Sequence, residues 1–187
     1  MSPLAGLRLA VGLLTVVPVR PPEEIGRAQA RAAMLLAPVA VLPVAAAAAA
    51  LGWSGVRAGL PSGLAGALVV AVLALGTRAL HLDGLADATD GLGSGRDAVR
   101  ALEVMRRGDI GPMGAVALVL VLLAQALAAG EILGRPFGWL ELVALVATSR
   151  AALALGCLSG MPAARPDGVG ALVGGTVPAG AAASGWL

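Results

Sequence analysis

The sequence has neither lysine nor tyrosine, a single cysteine, a single histidine and a single phenylalanine, and only 13% of its 187 residues are charged. Each scarcity excludes something. The lone Cys157 cannot close an intramolecular disulfide and leaves no cysteine-based metal site; set in an apolar run, it reads as packing. Arginines scattered through loops, with aromatics nearly absent, argue against nucleic-acid binding although the pI is about 9.9. The run 91–95 lacks the Lys-Ser/Thr pair of a phosphate loop and reads as a helix stop. Against so few charges stand 58% hydrophobic residues and a mean hydropathy of +0.90. No soluble domain of this size has a core that would hide so much apolar side chain. The chain is therefore expected to be an integral membrane protein, an all-α, polytopic helix bundle forming one domain over residues 1–187.

A bilayer span needs ~20 apolar residues. Residues 4–17 form a short or tilted first segment, or a helix lying in the interface, and no removable signal peptide is expected there. Residues 32–53 form a second candidate span, punctuated by Pro38 and Pro43; residues 63–80 a third, running straight into an acidic stretch; residues 113–129 a fourth; and residues 139–158 a fifth, interrupted by Ser149 and Arg150. A sixth, over 169–187, is marginal, so five to six spans are expected. The compositional bias toward Ala and Gly is reason to draw nothing from small-residue spacings. Between the third and fourth spans, Arg96, Arg100, Glu103 and Arg107 recur on one helical stripe and Ala98, Leu102 and Met105 on another, the pattern of an amphipathic connector along a membrane surface. Taken together, the loops after the odd-numbered segments hold most of the loop Arg, which places the acidic stretch on the cytoplasmic side.

That stretch, His81-Leu82-Asp83-Gly84-Leu85-Ala86-Asp87-Ala88-Thr89-Asp90, is the chemical centre of the sequence. Asp83, Asp87 and Asp90 stand at i, i+4 and i+7, so a helix projects all three from one face. Carboxylates beside hydrocarbon are costly and call for a cation. Oxygen-only ligands favour Mg²⁺, with Mn²⁺ as the substitute. Such ions neutralise phosphate oxygens during in-line transfer. The plainer readings are a solvated helix face, or ordinary charge balance between Asp87 and Arg78 or Arg96. Gly84 and Gly91, seven residues apart beside the acidic face, would let a bulky substrate approach the backbone. His81 is a candidate base, although an ideal helix points it away from Asp83. In Met105-Arg106-Arg107-Gly108-Asp109-Ile110-Gly111-Pro112-Met113-Gly114, adjacent arginines beside flexible backbone suit phosphate binding, with an anionic-lipid anchor as the alternative.

The block from His81 to Asp87, followed by Asp90-Gly91, resembles the signature of the cobalamin 5'-phosphate synthase family, also called adenosylcobinamide-GDP ribazoletransferases. Weaker matches surround it in family order, at 15–18 and Pro38 before it and at 102–114, Ser149-Arg150 and Asp167-Gly168 after it. The resemblance implies a multi-pass enzyme of a bacterial inner membrane with a cytoplasmic active site. It would use Mg²⁺ to join adenosylcobinamide-GDP to α-ribazole or its 5'-phosphate, releasing GMP. In that reading Asp83, Asp87 and Asp90 hold metal, and Arg106, Arg107 and Arg150 steady phosphates. His81, Asp83 and Asp87 carry the chemistry. The expected partners are these small molecules and membrane lipid, with self-association compatible and nucleic acid excluded. Where the family commonly reads Asp-Ser-Arg, this chain has Arg107-Gly108-Asp109. A later Gly-Asp-x-x-Gly-Ala type motif is absent before Leu187, so a C-terminally short member is expected. A CDP-alcohol phosphotransferase also opens its signature with Asp-Gly, but its later Arg and paired aspartates do not follow Ala86. A transporter or scaffold would instead turn the carboxylates toward a pore.

Overall fold

The computed structural model describes residues 3–95 and 97–184. Twelve helices occur among them: α1 (Pro3–Leu14), α2 (Arg27–Leu35), α3 (Ala37–Ala40), α4 (Leu42–Arg57), α5 (Ser62–Gly76), α6 (Leu80–Gly93), α7 (Ala98–Val104), α8 (Pro112–Leu133), α9 (Gly138–Ser149), α10 (Ala152–Gly156), α11 (Gly168–Val173) and α12 (Ala179–Ser184). No strand accompanies them among the described residues; Leu158 and Val177 form an isolated parallel bridge. The all-α expectation is met.

The spans are met in part. Pro112–Leu133 and Gly138–Gly156 are long and apolar enough to cross a membrane, and α5 with α6 makes a third if that bent pair counts as one. The expected second span is divided into α2, α3 and α4, with breaks at Leu36 and Val41. Prolines explain this division, since the first turn of a helix tolerates a residue without an N–H while its interior does not. Pro38 stands in the first turn of α3 and Pro43 in that of α4. Ser149 ends α9 and Arg150 precedes α10, as the interruption of the fifth segment suggested. The region of the marginal sixth span holds only the short α11 and α12, and its last three residues lie outside the described residues.

The chain divides into two compact units, Met1–Ala47 with Leu140–Leu187, and Ala48–Trp139. In the first, Ala10, Leu14, Ala33, Met34, Ala37 and Ala154 belong to a core that includes Cys157 and Val177. Small residues allow close helix approach here: a Cβ added at Gly6 would collide with the Cβ of Ala32. Thr15, fully buried, ends α1 by donating its hydroxyl to Val11 O at 2.8 Å and accepting Val17 N–H at 3.1 Å. That self-satisfaction lets a polar residue sit in the core. Arg27 donates to Gly174 O at 3.0 Å, joining the start of α2 to the segment after α11.

The second unit is built on α8. The glycines that compositional bias seemed to explain make its principal crossing. A Cβ on Gly66 of α5 would meet Ala126 O and lie 2.7 Å from Gly130 N, and one on Gly130 would meet Ser62 O. Only hydrogen fits between these backbones, which brings α5 and α8 into direct contact. The expected run from the third span into the acidic stretch is instead a 91° bend. Thr77 returns its hydroxyl to Leu73 O at 2.8 Å, and Arg78 and Ala79 both take positive φ, 52° and 53°. Two successive non-glycine residues in the left-handed region turn the chain sharply at a conformational cost.

Candidate active site

The acidic stretch is helical, as its spacing requires. α6 begins at Leu80, so His81 is its second residue and Asp83 lies in its first turn, where the helix dipole favours a negative charge. Gly95, with φ +62°, lies just beyond Ser94, which caps the C-terminus by donating its hydroxyl to Gly91 O at 2.7 Å. The expected stop at 91–95 is in place.

The aspartates occupy unlike surroundings. Asp83 and its neighbour Gly84 are exposed, and a Cβ on Gly84 would meet nothing within 4 Å. Asp87, one turn on, is half-buried, and so is His81. Asp90 is engaged elsewhere: its Oδ2 accepts the N–H of Gly111 at 2.7 Å and its Oδ1 accepts that of Gly114 at 2.8 Å. Gly111 is the N-cap of α8 and Gly114 its third residue. With Pro112 at the first helical position lacking an N–H, one carboxylate therefore covers two of the three N–H groups that this helix start leaves unpaired.

This places the basic turn. Arg106 and Arg107 are exposed between α7 and α8, followed by Gly108 with φ +69°. The turn is held at one end by Met105, whose Cγ lies 2.7 Å from where a Cβ of Gly91 would stand. At its other end it is held by the bond from Gly111 to Asp90. Acidic helix and arginine turn thus belong to one local assembly. The connector itself is the seven-residue α7, capped by Asp97, which accepts Arg100 N–H at 3.0 Å. Leu102 and Met105 are partly buried while Ala98 is exposed, so only part of the apolar stripe packs; Arg96 lies outside the described residues. Arg150 belongs to the first unit, where its Nη1 donates to Ser149 Oγ at 3.1 Å. That unit also has a cleft of about 440 Å³ whose lining includes Arg165, Asp167 and Gly168. It was not foreseen as a site beyond the weak Asp167-Gly168 resemblance.

Among the described residues, no three or more His, Cys, Asp or Glu side chains converge as a closed metal cage. Magnesium does not require one, since it commonly keeps several waters and binds through one or two carboxylates together with substrate phosphates. Asp83 and Asp87, one turn apart beside the open space at Gly84, would make a donor set of that kind.

Comparison with known proteins identifies the family of the whole chain. The cobalamin-5-phosphate synthase family matches residues 6–187. A protein of Nocardioides sp. is 48% identical over 171 residues, covering 91% of this chain and 73% of the relative. One of Frankia casuarinae is 44% identical over 180 residues, covering 91% and 64%. One of Bradyrhizobium diazoefficiens is 42% identical over 175 residues, covering 91% and 65%. All three are named adenosylcobinamide-GDP ribazoletransferase. The chain thus spans about three quarters of the first and slightly less than two thirds of the other two. No solved structure matches.

Proposed function

The chain belongs to the cobalamin-5-phosphate synthase family, and we propose that it joins adenosylcobinamide-GDP to α-ribazole or its 5'-phosphate, releasing GMP late in cobalamin synthesis. The observation that carries this reading is the pairing on α6: two carboxylates one turn apart beside an open glycine, with an arginine turn fastened to the same helix. Asp83 and Asp87 would hold Mg²⁺, which when bound neutralises diphosphate oxygens and stabilises the departing GMP. Arg106 and Arg107 would bind the remaining phosphate oxygens in forked geometry. A ribazole hydroxyl attacks the corrinoid-bearing phosphorus, the new P–O bond forms as the anhydride bond to GMP breaks, and the hydroxyl proton passes to His81, Asp83 or Asp87. Orientation supplies the rest of the acceleration.

The same reading takes the chain as multi-pass in a bacterial inner membrane, with five to six spans and the acidic face on the cytoplasmic side, supported by the positions of the Arg-bearing loops. The test is GMP release by purified protein given adenosylcobinamide-GDP, α-ribazole and Mg²⁺. Turnover that disappears in Asp83→Asn, with membrane insertion retained, is the expected result. Absence of GMP from a folded wild-type preparation, or full activity in the variant, would overturn the assignment.

A further inference from the structure

We infer that Asp90 is a positioning residue: its carboxylate clamps the start of α8 to α6 and thereby sets the arginine turn, rather than holding metal. This inference rests on the proposed function for what the turn binds, but its geometry is independent of it. Both oxygens of Asp90 accept backbone N–H groups, from Gly111 and Gly114, at 2.7 and 2.8 Å. Charge-assisted bonds of that length are strong, and a carboxylate fixed at both oxygens has lost the freedom to follow a ligand. The surrounding sequence is shaped to this contact. A Cβ at Gly111 or at Gly114 would collide with the Asp90 carboxylate, and one at Gly114 would also stand 3.0 Å from Ala86 O. One turn along α6, a Cβ at Gly93 would lie 2.8 Å from Met113 Cγ. The glycines at 111 and 114, which beside arginines resemble a flexible phosphate-binding loop, are thus also the space into which an aspartate of another helix fits. Between the two anchored points, Met105 on Gly91 and Gly111 on Asp90, lie five residues that include both arginines. Freeing Gly111 would leave Arg106 and Arg107 attached at one end only.

The clamp and the ligand readings separate experimentally. Full-length protein carrying Asp90→Asn is compared with Asp83→Asn and wild type by amide hydrogen exchange over the 105–116 peptide and by Mn²⁺ binding followed by electron paramagnetic resonance. A clamp gives exchange at least tenfold faster in Asp90→Asn, none of it in Asp83→Asn, and a Mn²⁺ affinity in Asp90→Asn within about twofold of wild type. In turnover, the KM for adenosylcobinamide-GDP rises several-fold in Asp90→Asn with kcat nearly kept. The double variant with Arg107→Ala is then no worse than Arg107→Ala alone, because both act through the same contact. Unchanged exchange, or Mn²⁺ binding lost as in Asp83→Asn, overturns the inference. Should Asp90→Asn not fold, Asp90→Glu keeps the charge but lengthens the reach, and the same accelerated exchange is expected; unaltered exchange there also overturns it. If wild type neither binds Mn²⁺ nor releases GMP, the functional reading fails, while the exchange measurement still decides the clamp.

Discussion

Replacing Gly114 by Ala and, separately, Gly84 by Ala gives two chemically identical changes on helices of the same unit with opposite expected signs. In an open helix position, Gly→Ala gains about 0.4–1 kcal/mol, mostly by restricting the unfolded chain. Gly84 is such a position, within α6 and with nothing within 4 Å of an added Cβ. At Gly114 the same methyl would run into the Asp90 carboxylate and stand 3.0 Å from Ala86 O. Rotating the carboxylate away does not relieve the clash cheaply, because Gly111 and Gly114 hold one oxygen each. Overpacking costs about 1–3 kcal/mol. Loss of at least one bond to a charged acceptor adds about 1.5–3 kcal/mol. Set against a propensity gain near 1 kcal/mol, the net is a loss of roughly 1.5–5 kcal/mol. In a Trp186→Phe background, thermal unfolding of detergent-purified protein reads this through Trp53 and Trp139, both in the Ala48–Trp139 unit. Labelling of the buried Cys157 follows the other unit separately. Gly84→Ala should raise the tryptophan transition slightly and Gly114→Ala should lower it by many degrees. Equal transitions in the two variants would refute the packing argument and, with it, the contact between Asp90 and α8.

Other perturbations follow from the same geometry. Asp83→Asn should cost roughly 10²-fold or more in GMP release while leaving the unfolding transition near wild type, as expected for an exposed carboxylate whose work is electrostatic; a large thermal shift would place its role in the fold instead. Gly66→Val puts a branched side chain against Ala126 O and should part α5 from α8, costing several kcal/mol and reducing the yield of folded protein; normal yield and stability would contradict the crossing. Ala79→Gly removes the Cβ from a residue at φ 53° and should stabilise the second unit by up to about 1 kcal/mol, and a loss of stability would show that the bend is not strained. Arg27→Ala should cost about 1 kcal/mol in the first unit alone, seen in faster Cys157 labelling with an unchanged tryptophan transition.

What the sequence carried was the helical character of the acidic stretch, its stop after Gly91, the breaks at the prolines and at Ser149-Arg150, and the apolar lengths of α8 and α9. These depend on period, on residues that cannot continue a helix, and on composition, all of which are local. The bend at Arg78 and Ala79 was not legible, because neither residue favours the left-handed region and only the surroundings impose it. The α5–α8 crossing was hidden for a different reason. In a chain with 27 glycines, Gly66 and Gly130 carry no distinguishing mark until two backbones meet at them. The second expected span failed as one helix because hydropathy averages over Pro38 and Pro43, while hydrogen bonding does not.

The i, i+4, i+7 pattern was right about direction and silent about partners. A helical face says that three carboxylates leave one side of α6; it does not say that the last of them faces another helix. Along the stretch the environment changes steadily, from Asp83 and Gly84, exposed and unencumbered, through half-buried Asp87, to Asp90 against α8 and buried Gly91 against Met105. One motif therefore contains two kinds of residue. Asp83 and Gly84 are open to a ligand, while Asp90 and Gly91 are committed to architecture. A carboxylate cluster that must keep like charges together without collapsing onto its own fold gains from this division. The backbone N–H groups at the start of α8 offset the charge of Asp90 within the fold itself, whereas the exposed Asp83 stands where a ligand from outside can reach it.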